Sequence, residues 1–217
     1  LPFRRFDKYI KNYNTPQLFK QERKKFVLFY KISYLKLQNS FTFGSFLNVM
    51  QYINTPTLPR LFRDTVRKHS ERDALGFAGE TPLTYRQVNE KIEATMAFLE
   101  NMNVRPGDKV AILSMNMPNW GIVYLATTFM GAIVVPLLPD FHPDEVSNII
   151  EHSGSKVLFV SEGLRTKADK ISKGQLKYVV GIENMTIISP RKSGIRFNPG
   201  EKHKSPYKVE EQDPAAI

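Results

Sequence analysis

Thirty uncharged residues separate Lys109 from Asp140, in the stretch KVAILSMNMPNWGIVYLATTFMGAIVVPLLPD. A run of this kind must be covered by protein or by lipid, and what covers it decides the fold class. About 20 consecutive apolar residues span a bilayer core, so length alone permits a membrane helix. Internal punctuation opposes it. Pro118, Gly121, Gly131, Pro136 and Pro139 divide the stretch, and Asn116, Asn119, Thr127 and Thr128 set polar groups along it. No second hydrophobic segment is present to re-satisfy backbone groups freed by such breaks. Cut at its own breakers, the stretch becomes three elements. Lys109 to Ser114 suits a strand covered on both faces. Pro118 opens a helix, where its missing N–H costs nothing, and that helix is apolar nearly all round, from Trp120 through Tyr124, Leu125 and Phe129 to a stop at Gly131. Ile133 to Val135 is β-branched and favours a strand, with Pro136 expected to end it. Strand, buried helix and buried strand in about thirty residues make a βαβ unit and imply a parallel sheet.

The chain on either side keeps the same alternation. Thr57 is placed to cap a helix with Pro59 in its first turn, and Leu58, Leu61, Phe62 and Val66 are expected on its inner side. Ala74 to Ala78 is a short strand candidate, and Gly79 to Pro82 a turn. Thr84 and Gln87 have capping-box spacing. Tyr85, Val88, Ile92, Met96 and Leu99 then recur at three and four residues, as a core-facing helix requires. Arg105-Pro106-Gly107-Asp108 turns the chain into the central stretch. Beyond it, Pro143, Asp144 and Glu145 form a first helical turn with acids at the positive end. Val146, Ile149 and Ile150 point inward, and Gly154 closes the helix. Lys156 to Val160 is a further strand, Gly163 to Lys173 a polar helix, and Tyr178 to Ile182 another strand. Residues 184–212 lose the rhythm and are expected as loop or irregular hairpin. The predicted class is α/β, a largely parallel sheet flanked by helices, without internal repeats.

Residues 1–49 differ in kind. Phe, Tyr, Lys, Asn, Ile and Leu supply 31 of them, amino acids that A/T-rich codons can all encode, and Met50 is the first methionine. They are expected to be an unstructured or spurious extension, with residues 50–217 as the folded part. The alternative is peripheral membrane contact through residues 1–49, where Phe26 to Leu37 (FVLFYKISYLKL) alternates aromatics with lysines. Of the formal net charge of +10, +8 falls in these 49 residues and +2 in the remainder. No nucleic-acid partner is therefore expected of the folded part.

Cysteine is absent, which removes disulfides and thiolate chemistry and fits a reducing, cytoplasmic compartment. His69, His142, His152 and His203 are scattered without ligand spacing, so no metal site is expected. The sequence contains neither GxGxxG nor GxxxxGK[ST], no GxSxG and no HExxH. Asp144/Glu145 and Glu210/Glu211 are adjacent pairs that solvation explains better than acid–base work. Lys109 and Lys156 sit at strand starts, where a solvated lysine is ordinary. Asn116 and Trp120 border the strand end at which open α/β sheets bind ligands, although capping and packing account for them as well. No catalytic, cofactor-binding or metal-ligating residue is assigned.

The segment Leu83 to Pro139 resembles the amino-terminal part of the adenylate-forming, AMP-binding acyl-CoA synthetases. Leu83-Thr84-Tyr85 opening a long helix, Gly107-Asp108 before a strand, Asn116 to Trp120 at the next turn, and Gly131-Ala132 running to Pro136 carry the likeness. It extends from about Thr57 to Ser161 and resumes at Asp213-Pro214-Ala215-Ala216-Ile217, which resembles the lead-in to that family's ATP-phosphate loop. Within the family the chain is most similar to long-chain fatty acid–CoA ligases. The resemblance implies the amino-terminal part of a larger adenylate-forming domain. It implies a reaction that uses ATP, Mg²⁺ and coenzyme A to convert a fatty acid to an acyl-adenylate and then a thioester. The phosphate loop and the carboxy-terminal catalytic lysine of that family have no counterpart in these 217 residues. The chain by itself is thus expected to be inactive. A non-enzymatic α/β scaffold and a membrane-surface module are the alternatives.

Overall fold

The computed structural model describes residues 57–171, 176–203, 207–210 and 213–217; the expectations for residues 1–49 lie outside them. The uncharged stretch resolves into strand β3 (Lys109–Leu113), helix α3 (Pro118–Phe129) and strand β4 (Ile133–Leu137), as its breakers predict. No helix among the described residues is long and apolar enough to cross a membrane. Ahead of this unit lie α1 (Leu58–His69), a short antiparallel pair of β1 (Asp73–Leu75) and β2 (Leu83–Thr84), and α2 (Tyr85–Asn101). After it come α4 (Pro143–Ser153), β5 (Val157–Val160), a 3-10 turn at Glu162–Leu164, α5 (Arg165–Ala168), β6 (Tyr178–Gly181) and β7 (Thr186–Ser189).

The main sheet has the order β4-β3-β5-β6-β7, parallel except for the β6–β7 pair. Side chains alternate across it with period two. Val110 and Ile112 of β3, Val157 and Phe159 of β5 and Val180 of β6 therefore meet Val88, Ile92, Met96 and Leu99 of α2 and Ile122, Ala126 and Phe129 of α3 on one face. Ala111, Leu113, Leu158 and Val160 meet Val146 and Ile150 of α4 and Ala168 of α5 on the other. Each fully buried large apolar side chain contributes roughly 1.5–3 kcal/mol. Helix α2 begins with the predicted capping box: Gln87 N donates to Thr84 Oγ1 and Thr84 N to Gln87 Oε1. Gly107 and Gly131 both take positive φ, and Gly107 N donates to Gly131 O at 2.8 Å, joining the turns that precede β3 and β4.

Four expectations are corrected. In α1, Thr57 makes no side-chain cap. Pro59 and Phe62 hold the helix to the core, Phe62 against Phe129 and Tyr85, while Leu58 and Leu61 remain 42% and 36% exposed. The first strand is Asp73–Leu75, not 74–78, because its partner β2 is two residues long. Pro136 does not end β4, which continues to Leu137. Val134 turns its N–H and C=O to the outer side, bonding Ala215 O and Ile217 N, and Pro136, two residues on, has its nitrogen in the same outer row. The bond that proline cannot make is thus not one to β3. Finally, the polar helix expected over 163–173 shrinks to a 3-10 turn and one turn of α5. Lys167 donates to the carbonyls of Pro139 and Phe141, which fastens α5 to the loop before α4.

Within residues 184–212, expected as loop or irregular hairpin, β7 is the return strand of a hairpin, and Phe197, Glu201, His203 and Tyr207, among the described residues after it, contact α2 as parts of a strap. Phe197 packs edge-on against Phe98 at 5.6 Å. His203 Nε2 lies 3.1 Å from Glu93 Oε2, and the Tyr207 hydroxyl donates to Glu100 Oε1 at 2.6 Å. Burial, and then the hydrogen bond to the Glu100 carboxylate, push the Tyr207 phenol up to about 12.

Candidate functional site

Four parallel strands place their carboxyl ends on one edge of the sheet. The chain leaving β3 passes to the face covered by α2 and α3, whereas the chains leaving β4 and β5 pass to the face covered by α4 and α5. The end of β3 is therefore a topological switch point, where open α/β sheets bind ligands in the crevice between diverging loops. Met115, after β3, and Leu138, after β4, stand 58% and 61% exposed there. Ser114 and Ser161 follow the paired residues Leu113 and Val160 and are both buried. The Ser114 hydroxyl donates to Met115 O at 2.8 Å, whereas Ser161 Oγ has no hydrogen-bond partner.

Asn119, in the first turn of α3, donates from Nδ2 to Ile182 O at 2.8 Å and to Glu183 O at 3.0 Å. Glu183 Oε1 in turn accepts the Glu162 N–H at 2.9 Å. One amide and one carboxylate thus fasten α3 to the loops leaving β5 and β6. Beside them an open groove of about 450 Å³ is lined by Glu162, Arg165, Glu183, Asn184 and Arg191 among others. Its charges are mixed, with Arg165 Nη1 3.5 Å from Glu162 Oε1.

Asn116 is exposed at this edge, and Trp120 is half-buried, stacked on Tyr124 at 5.3 Å. Packing is the duty of Trp120, but capping is not that of Asn116, since Met117 occupies the N-cap of α3 without a side-chain bond. The residue that organises the edge is Asn119, whose partners lie more than sixty positions downstream; no local sequence signal marks it. Lys109 and Lys156 are at the opposite, amino edge. Lys156 Nζ is 2.8 Å from Asp108 Oδ2 and also donates to Asn103 O, with its side chain 15% exposed. Asp108 Oδ2 further accepts the Arg105 N–H at 2.7 Å, so this lysine belongs to a structural clasp.

The histidines serve separate local purposes. His142 is the N-cap of α4, its N–H donating to Glu145 Oε2 at 2.7 Å, and His152 lies in that helix's last turn. His69 ends α1. Among the described residues no group of three or more His, Cys, Asp or Glu side chains comes together as a metal site. No residue is accordingly assigned to Mg²⁺, and with no glycine-rich phosphate loop in the sequence none is assigned to ATP phosphates.

The fold agrees with comparisons to known proteins. The model of the family described as AMP-binding enzyme matches residues 62–217. The chain belongs to the AMP-binding enzyme family. A plipastatin synthase polypeptide of Bacillus subtilis is 31% identical over 136 residues, 63% of this chain and 5% of that protein. An octahydro-indenyl propanoyl:CoA ligase of Rhodococcus jostii is 30% identical over 105 residues, 48% of this chain and 20% of the ligase. The chain therefore spans a fifth or less of the length of these relatives. Among solved structures, the N-terminal subdomain of Klebsiella oxytoca NpsA shares the fold, with a TM-score of 0.58 at 24% identity over 74% of this chain and 37% of that one. Within the AMP-binding family match, the described residues form a layered α/β fold of the kind seen in that subdomain.

Proposed function

We propose that this chain is the amino-terminal part of an ATP-dependent ligase that activates a fatty acid as its acyl-adenylate and delivers the acyl group to coenzyme A. The observation that carries this is the family match across residues 62–217. The fatty acid and coenzyme A are supported by the resemblance of Leu83 to Pro139 to long-chain fatty acid ligases and by the coenzyme A ligase relative. The exposed Met115 and Leu138 at the switch point give that edge an apolar rim, suited to the hydrocarbon part of a fatty acid.

The role of these residues in such an enzyme is to build a rigid sheet and present its carboxyl edge. Asn119 and Glu183 hold that edge in shape, and phosphate recognition is left to residues outside this sequence. ATP–pyrophosphate exchange tests both statements. The 217-residue chain is expected to give no exchange with any acid. The longer protein containing it is expected to give exchange with fatty acids and then an acyl-CoA. Exchange by the 217 residues alone would overturn the division of labour. Exchange by the longer protein with amino acids or aromatic acids only would replace the substrate class, and no exchange by it at all would favour a non-enzymatic scaffold.

A further inference from the structure

The two margins of the main sheet are β7 and β4. The chain that runs from the first to the second meets α2 on the way: Phe197 on Phe98, Glu201 on Asn101, His203 on Glu93 and Tyr207 on Glu100. Glu93 and Glu100 are two helical turns apart, so their carboxylates share one side of α2. Ala94 to Leu99 are buried without interruption, which a helix covered on its inner stripe alone would not show; the strap covers the outer side. Past Tyr207 the chain reaches the margin of β4, where Val134 N donates to Ala215 O at 2.9 Å and Ile217 N to Val134 O at 3.0 Å.

Burial contributes little to holding residues 213–217 at that margin. Asp213, Pro214, Ala216 and Ile217 are exposed, and a groove of about 120 Å³ opens among Leu58, Thr128, Val209 and Pro214 where packing would otherwise secure them. Two hydrogen bonds at a sheet margin, with solvent beside them, open readily unless the segment is kept close. Tyr207 keeps it close. Six positions separate Tyr207 from Asp213, whereas twelve separate Glu201, the contact before His203, from it. Closure of a tethered segment weakens as its tether lengthens.

We propose that residues 213–217 form a strand that opens from and closes on the outer margin of β4, and that Glu93 and Glu100 are positioning residues that keep it closed, acting through His203 and Tyr207. The inference goes beyond the ligase reading and does not rest on it.

Hydrogen exchange of single amides, followed by nuclear magnetic resonance at one pH in the full 217-residue chain, tests it. Val134 N–H reports the bridge to Ala215, and Ile133 N–H, bonded to Asp108 O at 2.8 Å, reports the inner side of the same strand. E93A/E100A keeps α2 in good helix formers and moves the start of the tether back to Glu201. By the three-halves power of tether length, exchange at Val134 is expected to rise about threefold, with Ile133 unchanged. H203A/Y207A, which leaves α2 intact, is expected to raise it equally. Val134 exchange equal to wild type in either variant would overturn the proposal. Equal acceleration at Val134 and Ile133 would overturn it too, since the strap would then support the whole domain and not the strand.

Discussion

The two ends of the parallel sheet treat their side chains in opposite ways. At the amino end, Lys156, Asp108, Asn103 and Arg105 satisfy one another in a clasp between β3 and β5, and Gly107 and Gly131 join the turns beneath it. At the carboxyl end, two large apolar side chains stand in solvent and the buried hydroxyl of Ser161 lacks a partner. A sheet optimised only for stability would not leave these groups unused, since a buried polar atom without a hydrogen bond costs free energy. Local departures from good packing collect where a protein meets its ligands. The amino end is thus closed by paired charges, whereas the carboxyl end leaves apolar side chains open; a buried hydroxyl without a partner also occurs away from that edge, at Thr127 in α3.

Substitution distinguishes the ends. Asp108→Ala strands the Lys156 ammonium and removes the acceptor of Arg105 N–H, so a loss of about 2 to 3 kcal/mol is expected in urea unfolding, reduced from the fully buried case by the partial exposure of both groups. A change below about 0.5 kcal/mol would show that the clasp is ornamental. Asn119→Ala leaves the Ile182 and Glu183 carbonyls without that donor and is expected to cost about 1 to 2 kcal/mol. Faster amide exchange confined to the loops after β5 and β6 would accompany it.

The strap gives a smaller, pH-dependent effect. The folded pKa of Tyr207 is raised from about 10 to about 12. Its contribution is therefore complete below pH 10 and is lost as the pH rises through 12. Tyr207→Phe is expected to cost about 1 kcal/mol at neutral pH and to flatten the stability profile between these values, as chemical denaturation across that range would show. Met115→Ser and Leu138→Ser, at the carboxyl end, are expected to change stability by less than about 0.5 kcal/mol. A larger loss from either would mean that this edge also holds the fold together and would erase the contrast.

Much of this architecture is legible in the sequence because its signals are local. The Thr84/Gln87 capping box and the three–four spacing of Val88, Ile92, Met96 and Leu99 mark α2 without any tertiary information. The proline and glycine breaks divide Lys109 to Asp140 into β3, α3 and β4 for the same reason. What the sequence hides depends on partners distant along the chain. The Tyr207 hydroxyl meets a carboxylate 107 residues away, and the Asn119 amide meets carbonyls 63 and 64 residues away. The inner face of α1 is not readable either, because hydrophobicity alone cannot rank Leu58 and Leu61 against Phe62. The aromatic ring of Phe62, inserted between Tyr85 and Phe129, sets the helix rotation. At the candidate site, the position of Asn116 and Trp120 beside a strand end is readable, but the groups that shape the edge are not.

Pro136 has a consequence for how this sheet meets other chains. The outer margin of β4 is bonded by residues 213–217 only at Val134 among the described residues, and an exposed strand margin is a ready template for a stray strand from a neighbouring molecule. Such an intruder would need a donor at the next position of the outer row, and the pyrrolidine ring supplies none. The residue that punctuates the longest hydrophobic run in the sequence thus leaves a missing rung on the outer row of β4, and any strand laid against that row, from this chain or another, pairs without a donor at that position.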